Sequence, residues 1–210
     1  KPEVLLLVSV LGLVPDMQKI LDLCSEHNVI LLEDTCESMG SKYDNKKLGS
    51  FGLMSSFSTY FGHHMSTIEG GFVCTDDDEL YNLMKMKRSH GMAREALPEK
   101  YQQYKEENPN IHPMFMFMTD GYNLRNMEIN AVLGSSQIKN LTKNNEVRKV
   151  NFSRFIKMVS KYPNLLFSTY KEEGNSSFCF PFLCKSPEIK NQLEEHLSNS
   201  GVETRPLCSG

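Results

Sequence analysis

Residues 4–34 read VLLLVSVLGLVPDMQKILDLCSEHNVILLED, and this stretch decides the fold. Val4–Val10 is an apolar run typical of a strand buried on both faces, and Val29–Leu32 is a second such run. Between them, Pro15-Asp16 begins a helix with its apolar positions on one stripe: Met17, Ile20, Leu21 and Cys24. Strand, helix and strand in this order predict a βαβ unit with parallel strands and a right-handed crossover.

Two acidic residues, Glu33 and Asp34, follow the second of these strands. Ligands of open α/β sheets bind beyond the carboxyl ends of the strands, which is where we expect Asp34. A carboxylate there is costly to bury unless a cation or several donors compensate it. Asp34 or the nearby Glu37 could face the protonated ring nitrogen of pyridoxal phosphate and make that ring an electron sink. A helix or turn cap is the alternative interpretation.

The pattern after Asp34 predicts further short strands and one helix. Acidic residues at positions 76–78 are typical of a helix start. The expected elements are a hairpin tip at 43–47, strands at 55–60 and 71–75, and a helix that carries Leu80, Leu83 and Met84.

The second half of the chain begins with an irregular, polar segment at 92–120, which predicts a long loop of the functional or mobile kind. A helical pattern follows from Met127 to about Lys161. The remainder predicts a small α+β unit, with strands at 178–183 and 202–207 and a helix at 186–200. We therefore divide the chain into a large domain, residues 1–150, and a smaller C-terminal domain, residues 151–210.

The composition is that of an ordinary globular protein, 40% hydrophobic and 23% charged over 210 residues. A net charge of −3 offers no basic surface, so we expect no nucleic-acid partner. The longest apolar run, Val4 to Val14, is too short to span a bilayer, so we expect neither membrane insertion nor a signal peptide. Six cysteines without a CxxC pair indicate reduced thiols and a cytoplasmic location: Cys24, Cys36, Cys74, Cys179, Cys184 and Cys208.

Adjacent histidines, His63 and His64, are the most unusual feature of the sequence. Neighbouring residues on a strand point to opposite sides, so the pair is poorly arranged to chelate one metal, and we predict no metal site. An imidazole with a pKa of about 6.5 suits proton transfer at neutral pH. A loop histidine with satisfied hydrogen bonds is the alternative. The hydroxyls just upstream could bind a phosphate or could be bonded within a strand: Ser55, Ser56, Ser58 and Thr59.

Five segments together resemble the DegT/DnrJ/EryC1/StrS family of sugar aminotransferases. Each segment alone is weakly diagnostic, but they follow the order and spacing of the family over nearly the whole chain. They are LEDTCESMG at 32–40, LGSFG at 48–52, the stretch 57–71, SHG at 89–91 and GYNLR at 121–125. The resemblance implies the α/β fold of aspartate-aminotransferase-like, pyridoxal-phosphate-dependent transferases, as a homodimer with shared active sites.

The same resemblance implies roles for individual residues. Asp34 would pair with the pyridine nitrogen, and Glu37 stands where many members have a glutamine near the ring hydroxyl. Ser58 would bind the cofactor phosphate, and Asn123 would reach the phosphate of the neighbouring subunit's cofactor. From its position and charge alone, Arg205 is expected to face the sugar nucleotide.

One departure from the family pattern bears on the chemistry. The family's Schiff-base lysine falls five residues after Ser58 and six before Glu69, and both counts give His63. The family includes a branch with histidine at this position: 3-dehydratases of nucleotide-linked 4-keto-6-deoxy sugars, which serve deoxysugar and polysaccharide biosynthesis. In that branch L-glutamate converts the cofactor to pyridoxamine phosphate, a histidine acts as the base, and the hydroxyl at carbon 3 is expelled with later loss of ammonia. By this resemblance His63 is the catalytic base and His64 a neighbouring substrate contact.

Other interpretations stay open. An ordinary aminotransferase would make a 4-amino sugar, and a non-catalytic homologue would act as a dimeric sensor or binding module. Some dehydratases of this branch use an iron–sulfur cluster, but Cys179 and Cys184 lack the tight cysteine cluster that this requires, so we favour a cluster-free enzyme. The family's Gly- and Ser/Thr-rich phosphate loop does not precede Val4. We therefore expect an internal fragment, with a large domain that lacks its N-terminal part and an incomplete small domain.

Overall fold

The computed structural model describes residues 2–168 and 170–207. A four-stranded sheet has the order β1-β2-β5-β6, in which β1, β2 and β5 are parallel and β6 is antiparallel to β5. The strands are β1 Val4–Val8, β2 Ile30–Asp34, β3 Lys42–Tyr43, β4 Lys46–Lys47, β5 Met54–Ser58 and β6 Gly71–Cys74. The α-helices are α1 Met17–His27, α2 Asp78–Lys87, α3 Pro98–Glu107, α4 Glu128–Val159 and α5 Pro187–Asn199.

The βαβ unit predicted from residues 4–34 is confirmed, because β1 and β2 pair in parallel from Val4–Ile30 to Val8–Asp34. The first strand is shorter than expected, and a 3-10 turn at Val10–Gly12 follows it. The expectation that β1 is buried on both faces is wrong. Val4, Leu6 and Val8 are each about half exposed. The strand order leaves β1 at an edge, so it has a neighbour on one side only.

Several further elements form as predicted. The hairpin tip at 43–47 is the turn between β3 and β4, where Asp44 and Asn45 adopt positive φ of 47° and 62°. Asn and Asp tolerate this left-handed conformation better than most residues, and it matches the twist of a two-residue hairpin. The acidic start of α2 is also confirmed, with Asp77 accepting the Leu80 amide at 2.9 Å.

The expected long loop at 92–120 is wrong in part, because it contains α3 and 3-10 turns at Ala93–Glu95 and Pro113–Phe115. No residue of α3 is buried. Polar pairs one turn apart bond along its surface instead, from Gln102 to Glu106 and from Gln103 to Glu107. Such pairs stabilise a helix that has no apolar stripe. Because helices are recognised in sequence by that stripe, α3 was not predicted.

The two strands expected at 178–183 and 202–207 do not form in the described part of the chain. The apolar run 178–183 supplies aromatic side chains to a core on α4, with Phe180 and Phe182 centroids 5.2 and 5.1 Å from Phe155. Just after the run, Cys184 forms an isolated bridge with Leu166. Residues 202–207 are mostly exposed and pair with no strand among the described residues.

Two groups of buried side chains form the interior. The first lies between α1 and the sheet, and the second lies on the C-terminal half of α4. The groups are Met17, Cys24, Leu31 and Leu48, and Phe152, Phe155, Val159 and Leu166. The boundary that we place at residue 150 falls inside the continuous helix α4. The division into domains stays a prediction.

Candidate active site

Asp34 is the last residue of β2, between Val8 of β1 and Ser56 of β5. Its Oδ1 accepts the Cys36 amide at 3.1 Å, and no ion pair neutralises its carboxylate within residues 2–168 and 170–207. Burial, helped by the bond to Asp34, raises the pKa of the Cys36 thiol to about 11. The end of β2 thus holds a carboxylate that has hydrogen bonds from Cys36 but no ion pair among the described residues, beside a thiol with a raised pKa.

His63 lies in the loop after β5, half-buried, and its Nδ1 is 2.6 Å from the carbonyl oxygen of Cys36. A carbonyl oxygen can only accept, so Nδ1 carries a proton, and in the neutral imidazole the lone pair is then on Nε2. The loop around His63 is not a strand, contrary to the geometry assumed for the two histidines. The Cys36 carbonyl therefore joins the segment of Asp34 to the segment of His63 and fixes the imidazole tautomer that a general base needs.

His64 points elsewhere. It is 5% exposed, and its Nε2 is 2.6 Å from the carbonyl oxygen of Ser176. Burial lowers the pKa of His64 to about 4, against a smaller opposing effect of the bond to Ser176. This geometry does not favour the substrate contact that the sequence suggested, because the side chain is enclosed and bonded to the C-terminal part of the chain. The two imidazoles bond to different segments, at Cys36 and at Ser176, so they are not arranged to bind one metal ion together.

Glu37 and Ser58 lie at the same edge of the sheet. Glu37 Oε2 accepts the amide of Leu11 at 2.7 Å, and Leu11 has a positive φ of 61°. One oxygen of Glu37 thus stabilises the turn after β1, and a contact with the cofactor ring stays a prediction. Ser58 is the last residue of β5, and its Oγ accepts the Tyr60 amide at 3.2 Å. Its hydroxyl hydrogen remains available to a phosphate oxygen.

Asn123 lies in the segment GYNLR, residues 121–125. It forms a bridge with Ser89, and the amide of His90 donates to the Tyr122 carbonyl at 2.8 Å. The segments 89–91 and 121–125 are therefore neighbours, and they approach closely at Gly121, where a Cβ would lie 2.2 Å from the Gly91 nitrogen. Asn123 is exposed, and the structure brings it into no hydrogen bond with Asp34 or His63.

Arg205 is exposed in the segment after α5, which has no regular secondary structure. Its predicted role at the sugar nucleotide stays a prediction. Asp34 and Ser58 end neighbouring parallel strands, and Glu37 and His63 bond to the adjacent segments at Leu11 and Cys36. Within the part of the chain that the structure describes, no hydrogen bond links Asn123 or Arg205 to these residues. Within residues 2–168 and 170–207, no group of three or more His, Cys, Asp or Glu side chains could hold a metal ion. Among these residues, no helix combines the length and apolarity needed to cross a membrane.

Two residues that stabilise the site were missed from sequence. Glu33 is 1% exposed, and its carboxylate accepts the amides of Gly49, Phe51 and Gly52 at 2.6–2.7 Å. Asn130 of α4 is buried and donates to the carbonyls of Thr67 and Glu69. These two residues lie at the end of the loop that carries His63, just before β6 begins. The sequence does show an acidic residue within an apolar strand, Glu33, and a polar residue in an apolar part of a helix, Asn130. Neither pattern identifies the groups to which these side chains bond.

The donors and acceptors at this edge fit a pyridoxal-phosphate cofactor. A carboxylate without a cation suits a protonated ring nitrogen, and the free hydroxyl hydrogen of Ser58 suits a phosphate. The fit rests on Asp34 above all. Its carboxylate stands at the carboxyl end of a central parallel strand, where it has one amide donor and no ion pair among the described residues.

The fold and this site define an α/β protein of the pyridoxal-phosphate transferase class. The chain belongs to the DegT/DnrJ/EryC1/StrS aminotransferase family, whose profile matches residues 1–209. The family predicted from the five sequence segments is thereby confirmed.

Proteins with known names are similar to this chain over its full extent. The GDP-4-keto-6-deoxy-D-mannose 3-dehydratase of Escherichia coli O55:H7 is 37% identical over 99% of this chain and 54% of its own length. A solved E. coli structure of this dehydratase with bound hydrated PLP has a TM-score of 0.87, with 35% identity over 100% of this chain and 54% of its own. Another, with a trapped PLP-glutamate geminal diamine, has a TM-score of 0.86, with 35% identity over 98% and 54% of the two chains. The chain therefore spans about half the length of these relatives.

Proposed function

We propose that the protein containing this chain removes the hydroxyl at carbon 3 of a nucleotide-linked 4-keto-6-deoxy sugar, with L-glutamate as the amino donor. The observation that carries the proposal is His63, which stands at the family's lysine position with Nδ1 on the Cys36 carbonyl and Nε2 free to accept a proton. GDP-4-keto-6-deoxymannose is the first substrate to test, because the relatives named above act on it. Deoxysugar biosynthesis for a surface polysaccharide is the setting that we infer.

The binding residues act on different parts of the cofactor. Asp34 would keep the ring nitrogen protonated, and Ser58 would donate a hydrogen bond to the phosphate. When bound, pyridoxamine phosphate would supply a primary amine for the 4-keto group and a ring that takes up electrons when the methylene proton is removed and returns them when the hydroxyl leaves carbon 3. Glu37 would lie near the ring hydroxyl while its Oε2 stabilises the turn at Leu11.

His63 would move the proton. Its Nε2 would accept a proton from the methylene carbon of the bound cofactor, and the same nitrogen would then give it to the oxygen that departs from carbon 3 as water. The Cys36 carbonyl stabilises the imidazole on Nδ1 in both states, since that nitrogen keeps its proton throughout. Overall, one keto-sugar and one L-glutamate give one 3-deoxy-4-keto sugar, one 2-oxoglutarate and one ammonia.

Histidine also explains why amino transfer would not be the main outcome. An imidazole cannot form the covalent Schiff-base link that a lysine forms with the cofactor, so the deoxygenated sugar would leave as an enamine, which water converts to the 4-keto sugar and ammonia. Lys46 and Lys47, the nearest lysines in sequence, belong to the β3–β4 hairpin, and Lys46 lies over the Phe51 ring at 4.5 Å. This arrangement does not favour substitution of either lysine for the missing one.

A homodimer is part of the proposal. Five large apolar side chains near Asn123 are each more than 60% exposed, which is unusual for a surface that stays in water: Tyr122, Leu124, Met127, Ile129 and Val132. A second copy of this chain is the occupant that we infer, because Asn123 then reaches the partner's site as the family resemblance implies. A cytoplasmic setting is also proposed, since Cys24, Cys36, Cys74 and Cys184 form no disulfide.

The test is a product assay with the natural full-length protein. The protein is incubated with pyridoxal phosphate, L-glutamate and GDP-4-keto-6-deoxymannose, and sugars are identified by mass spectrometry while ammonia is measured. A 3-deoxy sugar and ammonia in equal amounts, dependent on glutamate, support the proposal. A 4-amino sugar without ammonia supports an aminotransferase. Cofactor binding without any turnover, across GDP-, CDP- and dTDP-linked sugars, supports a non-catalytic binding protein.

A further inference from the structure

Residues 174–178, GNSSF, cross from the C-terminal part of the chain over the turn that follows β1, and we call them the strap. Asn175, Ser176 and Ser177 are at most 6% exposed. The backbone bonds of the strap run from Lys42 N to Gly174 O at 2.8 Å, from Ser176 N to Gly12 O at 3.1 Å and from Phe178 N to Leu11 O at 2.8 Å. The strap is therefore bound along its length to segments next to the site.

The contact at Gly12 is too close for any side chain. A Cβ there would lie 2.7 Å from the Phe178 nitrogen and 3.0 Å from the Ser177 Cα, and Gly12 has a positive φ of 73°. Only glycine combines this conformation with this approach at no steric cost. The turn after β1 is thus shaped to receive the strap.

His64 commits its one proton to the strap. A carbonyl oxygen can only accept, so the 2.6 Å contact with Ser176 O makes Nε2 the donor. The opposite nitrogen, Nδ1, is buried and has no partner among the described residues. Neither nitrogen of His64 is thus available to substrate. The structure supports one role for this side chain, which is to bind Ser176.

The strap in turn covers His63. The Phe178 ring centroid is 5.1 Å from that of His63 and 6.0 Å from that of His64. Arg148 of α4 donates to the Ser177 and Phe178 carbonyls at 3.1 and 3.3 Å, which stabilises the strap from its other side. These contacts therefore hold the Phe178 ring against one side of the His63 imidazole.

We propose that His64 is a positioning residue, which binds the strap through Ser176 so that Phe178 holds the His63 imidazole in its productive orientation. The proposal rests on the proposed function only in giving His63 the role of base. A base must lie within hydrogen-bond reach of the proton it abstracts, and a displacement of about 1 Å can cost about a hundredfold in rate. The buried hydrogen bond between His64 and Ser176 can thus affect kcat, because it helps to hold Phe178 against the His63 imidazole.

The experiment compares two His64 variants and two strap variants in the natural full-length protein. His64→Gln keeps an N–H group near the position of Nε2, so it retains the donor to Ser176. His64→Leu removes that donor and leaves the Ser176 carbonyl unpaired. Ser177→Ala is the matched control in the strap, because the Ser177 hydroxyl bonds only locally, to the Cys179 carbonyl. Phe178→Leu removes the ring without changing His64.

Two readouts are measured for each variant. The first is the rate at which diethyl pyrocarbonate acylates His63 at fixed pH, determined by peptide mass spectrometry without substrate. The second is kcat and KM for the nucleotide sugar. We expect His64→Leu to be acylated at His63 about fivefold faster or more, because an unpaired buried carbonyl shifts a local opening equilibrium by at least that factor. We expect its kcat to fall about tenfold, with KM changed less than about twofold.

His64→Gln and Ser177→Ala are expected to retain most of the wild-type values in both readouts. An unchanged acylation rate and kcat in His64→Leu would overturn the proposal, and so would a rise in KM at constant kcat, which marks a substrate contact. If His64→Leu does not fold, Phe178→Leu decides in its place: faster acylation of His63 supports the proposal and an unchanged rate overturns it. Where wild-type protein turns over no sugar, the proposed function fails, while the acylation rates still decide the positioning role.

Discussion

The Nδ1 atom of His63 lies 2.6 Å from the carbonyl oxygen of Cys36, two residues beyond Asp34. This one hydrogen bond ties the proposed base to the strand end that would hold the cofactor ring. It also decides which nitrogen is free, since the proton on Nδ1 leaves the lone pair on Nε2. Base and electron sink are thus fixed relative to each other by the backbone.

Replacing His63 with glutamine removes the base while keeping a polar side chain of similar size. We predict that His63→Gln lowers the rate of 3-deoxy sugar formation by a factor of about 100 to 10,000, the usual contribution of general base catalysis. Absorbance titration with pyridoxal phosphate gives the cofactor affinity, and the product assay gives the rate. We expect the variant to bind the cofactor as wild type does but to lose activity. Activity within about tenfold of wild type would show that another group removes the proton.

Asp34→Asn keeps an oxygen that can accept the Cys36 amide but removes the charge. We predict little loss of stability and a fall in activity of about a hundredfold or more, because the ring nitrogen loses its anionic partner. The measurement pairs urea unfolding with the product assay, and the absorbance of the bound cofactor reports the protonation of the ring. A variant that is equally active would contradict the role given to Asp34.

His64 makes stability depend on pH. Its pKa falls from 6.5 in the unfolded chain to about 4 in the folded protein. Between these values the unfolded chain binds a proton that the folded protein does not, so the free energy of unfolding decreases as the pH falls from about 6.5 to 4. The loss attributable to His64 is about 3 kcal/mol. Below pH 4 both states are protonated and the loss stops growing.

The control for this prediction is His64→Gln, which cannot titrate. Urea unfolding of both proteins at several pH values between 7 and 4 isolates the contribution of His64, because all other titrating groups are shared. We expect the stability of the variant relative to wild type to rise as the pH falls. A constant difference across this range would show that His64 titrates alike in both states.

Glu33 is predicted to stabilise the turn at 48–52. Glu33→Gln replaces one carboxylate oxygen with an NH₂ group that would face an amide donor, so at least one of the three hydrogen bonds is lost. The expected destabilisation is about 2–4 kcal/mol, since the bonds are charge-assisted and buried. Urea unfolding measures it, with Glu106→Gln on the exposed face of α3 as the control. A loss no greater than that of the control would contradict this account.

Sharing of active sites between subunits can be tested by mixing inactive variants. If Asn123 acts in the partner's site, a mixed dimer of Asn123→Ala and His63→Gln contains one site with both residues intact. Half of the dimers are mixed after equal exchange, so about a quarter of wild-type activity should return. Analytical ultracentrifugation confirms the dimer. No recovery in exchanged dimers would place Asn123 in its own subunit's site, and an Asn123→Ala variant that is active by itself would place Asn123 outside the sites.

Sequence alone predicted the part of the fold that follows periodic rules. The βαβ unit, the hairpin at Asp44-Asn45 and α4 carry clear apolar or turn patterns. Helix α3 was missed because its stabilising pairs, such as Gln102 with Glu106, are polar. The run 178–183 was read as a strand because its composition suits one, whereas its aromatic side chains pack on Phe155 instead.

The candidate site residues Asp34, Ser58 and His63 came from spacing within the family segments, and their roles stay predictions. The structure places Asp34 and Ser58 at the ends of neighbouring parallel strands and joins His63 to Cys36. The strap was not predictable, because GNSSF has no periodic pattern and Ser176 bonds to Ser41, 135 residues away. The role that we propose for His64 depends on its contact with the Ser176 carbonyl in this strap, which the sequence does not reveal.

The most direct test of the central claim is the product formed by wild type and by His63→Lys under the same conditions, with pyridoxal phosphate, L-glutamate and GDP-4-keto-6-deoxymannose. We predict that wild type gives a 3-deoxy-4-keto sugar and equal ammonia. The variant should attach the cofactor covalently, trapped by borohydride, and shift its product toward the 4-amino sugar. A 4-amino sugar from wild type without ammonia, or a variant that attaches no cofactor, would contradict the assignment of His63 as the base that replaces the family's lysine.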